Sequence, residues 1–135
     1  MLFFGLESFD QRYLDLINKG TKIENCINIL KLCKKYNIKT SVSFIFNFPG
    51  ETVDNLLVTE KEFYKNINLI DNCEFNFFTN IKNCKICEKD DKINYFVKSS
   101  PILKEKQIIV QRIIDFAKSN SKNLSFYLKS ALFSE

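Results

Sequence analysis

Eight residues of the 135-residue sequence could bind a ligand, because each is polar, or permits a tight turn, close to an apolar run. They are Glu7, Ser8, Lys19, Ser43, Asn47, Pro49, Gly50 and Glu51. In α/β folds, ligands sit where strands end and helices begin, which makes carboxylates and hydroxyls at such points candidate binding groups. Structural roles compete with binding roles: Glu7 could cap a short helix, Lys19 could neutralise a helix carboxyl end, and Gly50 could be an ordinary turn glycine.

The stretch from Ile38 to Thr52 places most of these residues. Its β-branched and aromatic residues predict a strand, Pro49-Gly50 predicts a turn, and Thr52 predicts the cap of a helix. Within the strand, one face contains Val42, Phe44 and Phe46, and the other contains Ser41, Ser43, Ile45 and Asn47. A parallel strand covered by helices on both faces is apolar throughout. The polar face therefore meets either water or a ligand.

The remaining elements alternate between strands and helices. The predicted strands are Met1 to Phe4, the central strand from Ile38 and Glu74 to Phe78; the predicted helices are Phe9 to Lys19, Lys22 to Tyr36, Thr52 to about Leu69, Pro101 to about Lys118, and Leu124 to Phe133. Strands separated by helices are parallel with right-handed crossovers, so the elbows after them lie at one end of the sheet. The third elbow, Thr79 to Asn83, opens a segment to Ser100 that shows no period and predicts an irregular connection.

Several local signals accompany these elements. Asp10 is a predicted helix cap, Gly20 has the position of a C′ glycine, Thr21-Lys22-Ile23-Glu24 reads as a capping box, and Asn37 suits a left-handed C′ residue. The second helix carries one apolar stripe, made of Ile23, Cys26, Ile27, Leu30 and Cys33.

Composition narrows the class of protein. Hydrophobic residues make up 45% and charged residues 27%, as in ordinary globular domains. The net charge of +4 is too small and too scattered to indicate nucleic acid. No histidine supplies a general base or a metal ligand. With no signal-peptide pattern and no apolar run long enough to cross a membrane, five cysteines indicate free thiols in a reducing cytoplasm.

The cysteines give a weak metal signal. Cys84-Lys85-Ile86-Cys87, with Cys73 upstream, matches part of a zinc or redox spacing, but zinc would need further ligands. Cys26 and Cys33 lie one heptad apart on an apolar stripe, where small buried hydrophobic side chains are the expected role. We therefore predict no metal ligands in this chain.

Three motifs in this order resemble one family. Gly5-Leu6-Glu7-Ser8, Asn18-Lys19-Gly20-Thr21 and Asn47-Phe48-Pro49-Gly50-Glu51-Thr52 are similar to the carboxyl-terminal half of the radical S-adenosylmethionine (radical SAM) barrel, in particular its cobalamin-binding-associated branch. The resemblance covers about residues 3 to 78. It implies a partial TIM-like (β/α) barrel with parallel strands, S-adenosylmethionine bound across the carboxyl ends of the strands, and a [4Fe–4S] cluster that releases a deoxyadenosyl radical.

The resemblance also implies a role for each candidate residue. Glu7 and Ser8 match the elbow that reaches the cofactor's ribose or methionine part. Lys19 matches a basic position that pairs with the methionine carboxylate, and Ser43 matches a polar ribose contact inside the barrel. Pro49-Gly50-Glu51 matches the turn that closes over the adenine, and Asn47 stands where the family usually has Gly.

One family motif is missing from this sequence, the CxxxCxxC loop that holds the cluster. The favoured hypothesis is therefore a carboxyl-terminal fragment or subunit of a radical SAM enzyme, inactive alone, that needs an amino-terminal half or another chain carrying the cluster. The alternative is a non-catalytic interaction module or gene remnant that kept the half-barrel. The predicted division is residues 1–80 for the half-barrel and 81–135 for the loop and helical segment; a small-molecule or peptide substrate and the use of cobalamin stay open.

Overall fold

A computed structural model describes residues 1–78 and 102–127 of the chain. They form a parallel β-sheet whose strands are connected through helices. The elements are β1 (Leu2–Glu7), α1 (Gln11–Leu16), α2 (Ile23–Lys35), β2 (Thr40–Phe46), α3 (Val53–Asn66) followed by a 3₁₀ turn (Ile67–Leu69), β3 (Asn72–Phe77), α4 (Lys104–Ser119) and β4 (Asn123–Tyr127). Within these two ranges, every helix is too short or too polar to span a bilayer.

The sheet has the order β1-β2-β3-β4, and every neighbouring pair is parallel. Strands that follow one another in sequence and in space, joined by right-handed crossovers, place all connecting helices on one face. A (β/α) barrel is wound in this way. The predicted α/β fold with parallel strands, a partial TIM-like barrel, is confirmed.

One face of the sheet packs under the helices. Val42, Phe44 and Phe75 are each 0% exposed and belong to one core cluster with Leu30 of α2, Phe63 of α3 and Ile113 of α4. The Phe44 ring lies 5.4 Å from that of Phe63 and 5.9 Å from that of Phe75, between ring centroids. The alternation predicted for β2 and β3 is therefore confirmed, since their aromatic residues lie on the helix-covered face.

Two predictions about the strands are wrong. Residues 123–127 form a strand instead of the beginning of a helix, because Leu124 pairs in register with Cys73 and extends the sheet. The first strand continues to Glu7 instead of ending at Phe4, since the sheet pairing of β1 and β2 runs on through a bulge between Gly5 and Glu7. Residues 79–101 and 128–135 lie outside the described residues, and so do the predictions made for them.

Most helix ends agree with the sequence signals. Asp10 caps α1, Thr52 caps α3, and Asn37 adopts the left-handed conformation at φ 54°. The capping box at Thr21 is wrong: Lys22 is the N-cap without a side-chain bond, and the Ile23 N–H is satisfied by the Gln11 side-chain oxygen at 3.1 Å.

The C′ prediction for Gly20 is also wrong. Helix α1 ends at Leu16, and Asn18, at φ 53°, is the left-handed residue that follows its last turn. Thus the Gln11 side chain of α1 replaces the predicted capping box, and the early end of α1 replaces the predicted C′ glycine.

Candidate functional site

The carboxyl end of β1 holds a buried carboxylate. Glu7 is 8% exposed and adopts φ 70°, which is uncommon for any residue other than glycine and, outside turns, often marks a functional site. Its Oε1 accepts a hydrogen bond from Lys19 Nζ at 2.9 Å, and its Oε2 accepts one from Ser43 Oγ at 3.4 Å. Three of the predicted site residues, from β1, the loop after α1 and β2, therefore meet at one point.

Gly5 makes room for this cluster. A Cβ at Gly5 would lie 2.7 Å from Glu7 Oε1 and 3.1 Å from Lys19 Nζ, so the ion pair lies directly over the glycine backbone. Gly5 was not predicted as a site residue. Its spacing of two from Glu7 within a strand could have indicated it, because such spacing puts both residues on the same face.

Ser8 lies apart from this cluster. Its hydroxyl forms a 2.7 Å hydrogen bond with the Thr59 hydroxyl of α3 and accepts the Asp10 N–H at 3.0 Å, and Ser8 itself is 4% exposed. In the fold, Ser8 ties the first elbow to α3. Its predicted role as a cofactor contact stays a prediction.

The second elbow is built around Asn47. This residue adopts φ 62° directly after β2, a conformation that asparagine tolerates better than most residues and glycine best of all. Its N–H donates to Glu51 Oε2 at 2.8 Å, which closes the turn through Pro49 and Gly50. Gly50 is at φ 88°, a conformation that favours glycine, and a Cβ there would lie 3.1 Å from the exposed Leu16 side chain at Cδ2.

Glu51 is the most perturbed acid of the site. It is 7% exposed, and burial raises its pKa to about 7, although the Asn47 N–H and the charge of Lys106 act in the opposite direction. Lys106, from the first turn of α4, also donates from Nζ to the Glu51 carbonyl. The sequence analysis did not foresee this contact because nothing local connects α4 with the turn.

Tyr13 lies between the two elbows. Its hydroxyl donates to the Ile45 carbonyl of β2 at 3.0 Å. Burial raises the pKa of the Tyr13 hydroxyl, and the negative charges of Glu51 and Glu7 raise it further. Both carboxylates therefore act electrostatically on one buried hydroxyl, which places the two elbows at the same end of the sheet, as predicted.

A buried network fixes the loop after the first elbow to the start of α3. Asp10 accepts from Asn55 Nδ2 at 2.8 Å and from Arg12 Nη2 at 2.7 Å, and Arg12 also reaches Asp54 at 2.8 Å. Burial raises the pKa of Asp10, but the hydrogen bonds from Arg12 and Asn55 outweigh it, so the net shift is downward. Asp10 thus holds a fixed negative charge that positions both elbows.

The face of the sheet that the described helices do not cover, called the uncovered face below, continues the row of polar side chains beyond Glu7. Gly5, Ser43 and Glu74 occupy one register level across β1, β2 and β3. Ser41 Oγ donates to Glu74 Oε1 at 2.7 Å, so a second carboxylate lies one strand beyond the first cluster. The alternation in β3 predicted Glu74 and Asn76 on this face, but neither was proposed as a site residue.

Aromatic rings border the site where β2 and β3 end. The ring of Phe48 contacts that of Phe78 edge to face, with centroids 4.7 Å apart, and contacts that of Tyr13 at 6.3 Å. Both phenylalanines follow the last residues of adjacent strands, a signal that the sequence analysis did not use. Rings beside a carboxylate and an ammonium group suit a ligand that combines a base with polar groups.

The described cysteines do not form a metal site. Cys33 and Cys73 are buried, Cys26 is half-buried, and no group of three or more His, Cys, Asp or Glu side chains within residues 1–78 and 102–127 could hold a metal ion. Burial raises the pKa of the Cys73 thiol to about 12, which makes it a poor thiolate. Cys84 and Cys87 lie outside the described residues.

The residues that the structure describes fit S-adenosylmethionine and do not fit an iron–sulfur cluster. The cofactor has hydroxyl, ammonium, carboxylate and adenine groups, and the elbows offer two carboxylates, one half-exposed ammonium and a pair of aromatic rings. A [4Fe–4S] cluster needs thiolates, which the described cysteines do not bring together.

This geometry defines an α/β unit with a candidate site at the carboxyl ends of singly wound parallel strands. In sequence comparison, residues 1–63 match the family model of the Radical SAM superfamily. The matched range includes both elbows, Lys19 and Ser43. This part of the chain is therefore similar to that superfamily, and the predicted resemblance is confirmed at the superfamily level.

Individual relatives agree. An uncharacterized methyltransferase of Pyrococcus horikoshii is 28% identical over 136 residues, which covers 95% of this chain and 29% of the relative. A putative methylthiotransferase of Methanocaldococcus jannaschii is 36% identical over 70 residues, covering 52% of this chain and 15% of the relative. An uncharacterized protein of the same archaeon is 33% identical over 70 residues, covering 52% and 14%. The chain thus spans less than a third of the length of these curated relatives.

Proposed function

We propose that this chain is the carboxyl-terminal part of a radical SAM barrel and contributes its S-adenosylmethionine-binding elbows. The observation that carries the proposal is the meeting of Glu7, Lys19 and Ser43 over Gly5, inside the range that matches the superfamily. The ion pair lies on the polar face of the sheet, opposite the described helices, and Lys19 keeps part of its side chain exposed. Had these residues served only as caps, as the structural alternatives held, they would not converge from three elements.

Each elbow has a separate task in this proposal. Glu7 accepts hydrogen bonds from cofactor hydroxyl or ammonium groups, and Ser43 assists it. Lys19, whose side chain is 33% exposed, pairs with the methionine carboxylate. The turn closed by Asn47 and Glu51 holds the adenine end beside the aromatic rings. When bound, the cofactor supplies the deoxyadenosyl group from which a reduced cluster generates a hydrogen-abstracting radical.

The cluster comes from elsewhere in this proposal. None of the five cysteines forms a CxxxCxxC motif, so the ligands belong to an amino-terminal half or to a separate cluster-bearing chain. Two relatives are named as a methyltransferase and a putative methylthiotransferase. These names favour transfer of a methyl or methylthio group as the activity of the whole enzyme. The association with cobalamin and the cytoplasmic location remain predictions.

The direct test is cofactor affinity. S-adenosylmethionine binding is measured by calorimetry on the chain assembled with a cluster-bearing half, for the wild type, Glu7→Gln and Glu24→Gln. Glu24, exposed in the first turn of α2, is the matched control. We expect Glu7→Gln to weaken binding about tenfold or more, since a charged hydrogen-bonding partner is lost, and Glu24→Gln to leave it unchanged. Equal affinities for all three proteins would contradict the proposal.

A second test uses the chain alone. After anaerobic iron–sulfur reconstitution, the isolated chain should hold no stoichiometric [4Fe–4S] cluster and should cleave no S-adenosylmethionine. A cluster near one per chain that disappears on replacing Cys84 and Cys87 would overturn the assignment of the cluster to another segment. An assembled, folded protein that binds no S-adenosylmethionine would favour the non-catalytic module.

A further inference from the structure

Exposed apolar side chains concentrate in the amino-terminal part of the described chain. Of the eleven large apolar side chains that are exposed among the described residues, only Leu57, Leu103 and Ile108 lie beyond β2. The other eight precede β2, in the first β/α unit. Large exposed patches of this kind mark interaction sites.

Strand β1 forms one part of this surface. It is an edge strand of the described sheet, and Phe3 is 73% exposed. The Leu2 N–H donates to the Lys39 carbonyl at 2.8 Å, which directs the peptide groups of Leu2 toward β2. Because peptide groups alternate in direction along a strand, the N–H and C=O of Phe3 point to the free edge and can pair with a further strand.

Helix α2 provides the second part. Ile29, Leu32 and Tyr36 are 45%, 53% and 65% exposed and recur at helical spacing, so they share one flank. Lys31 and Lys34 occupy the opposite flank. An apolar flank opposite a charged one is typical of a helix that packs against another element on its apolar side.

The flank with Leu32 faces the free edge of β1. A right-handed crossover places α2 over β1 and β2, with α3 on its β3 side. Because Leu30 and Cys33 are buried against the sheet, a rotation of about 100° per residue puts Ile29 and Leu32 on the β1 side of α2 and Lys34 on the α3 side.

We infer that the free edge of β1 and the apolar flank of α2 together form one docking surface for a β/α unit of the cluster-bearing barrel half. The incoming strand adds in parallel to β1, and its following helix packs on Ile29, Leu32 and Tyr36. This inference rests on the proposed function, which requires such a half. A strand alone would leave the α2 flank exposed, and a helix alone would leave the β1 edge unpaired, so the occupant has both.

The helix contact is tested by co-expression. The chain is produced together with the tagged amino-terminal half of the Pyrococcus horikoshii methyltransferase relative, and co-purification is quantified. Leu32→Lys is compared with Ile108→Lys, a matched control of nearly equal exposure, 52%, on α4. We expect Leu32→Lys to reduce complex formation about tenfold or more and Ile108→Lys to leave it unchanged. Equal loss, or no loss, in both variants overturns the inference.

The strand contact has its own pair of variants. Phe3→Pro removes the N–H that points to the free edge without touching the bonds between β1 and β2, and Phe3→Val keeps this N–H. Circular dichroism confirms that both variants fold. We expect weaker assembly for the proline variant, and similar assembly of both would show that no strand adds to β1.

Two outcomes separate this surface from the proposed function. An assembled complex that fails to bind S-adenosylmethionine leaves the docking surface intact and removes the cofactor role. Stable homodimers that lose their contact in Leu32→Lys and persist beside an excess of the amino-terminal half would assign the surface to a second copy instead and overturn the inference.

Discussion

The two faces of the sheet have opposite characters although they alternate residue by residue along the same strands. On the covered face, Val42 and Phe44 are fully buried in an aromatic core. On the uncovered face, Ser43 meets Glu7 and Ser41 meets Glu74 through polar contacts. The core lies on the covered face and the candidate site on the opposite face. Neighbouring substitutions should therefore have separable effects on stability and on binding.

The division is incomplete at the strand ends. Glu7 and Asn47, which follow or end β1 and β2, both adopt positive φ and carry groups of the candidate site. The residues next to them are held by contacts on the covered side, namely the Ser8–Thr59 bond and the capping box of Thr52 and Asn55 at the start of α3. The helices thus position the polar groups that they do not cover.

The largest expected effect belongs to the covered face. Phe44→Ala removes ring contacts with Phe9, Phe63 and Phe75 and leaves a cavity, which should lower the free energy of unfolding by about 3–5 kcal/mol. The neighbouring Ser43→Ala, which loses only a long hydrogen bond, should cost less than about 1 kcal/mol. Urea unfolding of both variants measures the difference. Similar losses would abolish the division between the faces.

An intermediate effect on stability is expected for Asp10, which connects the loop after the first elbow to the start of α3. Asp10→Ala removes the cap of α1 and leaves the buried Asn55 amide without this acceptor, a loss of about 2 kcal/mol. Asp54→Ala, which removes only the exposed partner of Arg12, should change stability little. Thermal unfolding compares them, and equal shifts in Tm would show that the network is not a support.

A pH effect of comparable size follows from Glu51. Its pKa is about 7 in the fold and near 4.5 in the unfolded chain, so the folded protein binds more protons between these values. Stability therefore falls as the pH rises from about 4.5 to 7, by about 3 kcal/mol, and is constant above that. Glu51→Gln should remove this loss and be the more stable protein at about pH 8.

The control is Glu105→Gln on the exposed first turn of α4, which should keep the loss of stability. Denaturant midpoints at about pH 5 and pH 8 provide the measurement. A wild-type midpoint that rises with pH over this interval would contradict the assigned burial of Glu51.

The smallest effect on stability is expected on the uncovered face. Gly5→Ala meets only the mobile ends of Glu7 and Lys19, so stability should change by less than about 1 kcal/mol, while displacement of the ion pair weakens cofactor binding. Ser125→Ala, at the same register level on β4, is the control for both quantities. Unchanged cofactor binding in Gly5→Ala would separate the ion pair from the binding site.

The sequence predicts well what depends on local periodicity. The two faces of β2, the apolar stripe of α2, and the left-handed Asn37 follow from spacing and from residue type, and the structure confirms all three. These features need no information about distant residues.

Features that depend on distant contacts escaped prediction. Glu7 pairs with Lys19, twelve residues away, and the Gln11 side chain, not that of Thr21, accepts the Ile23 N–H at the start of α2. The short strand β4 is stabilised by pairing with β3, which its own five residues do not reveal. In the candidate site, residue types were therefore predictable, while the partners of Ser8 and Glu51 were not.

We propose that the uncovered polar face binds S-adenosylmethionine at the ends of β1 and β2. Hydrogen–deuterium exchange of the assembled protein, with and without S-adenosylmethionine, tests this proposal. We expect added protection confined to residues 5–8 and 43–51 and to the loop that contains Lys19. Binding that leaves both elbows unprotected, or that protects only α2 and α4, would contradict the claim.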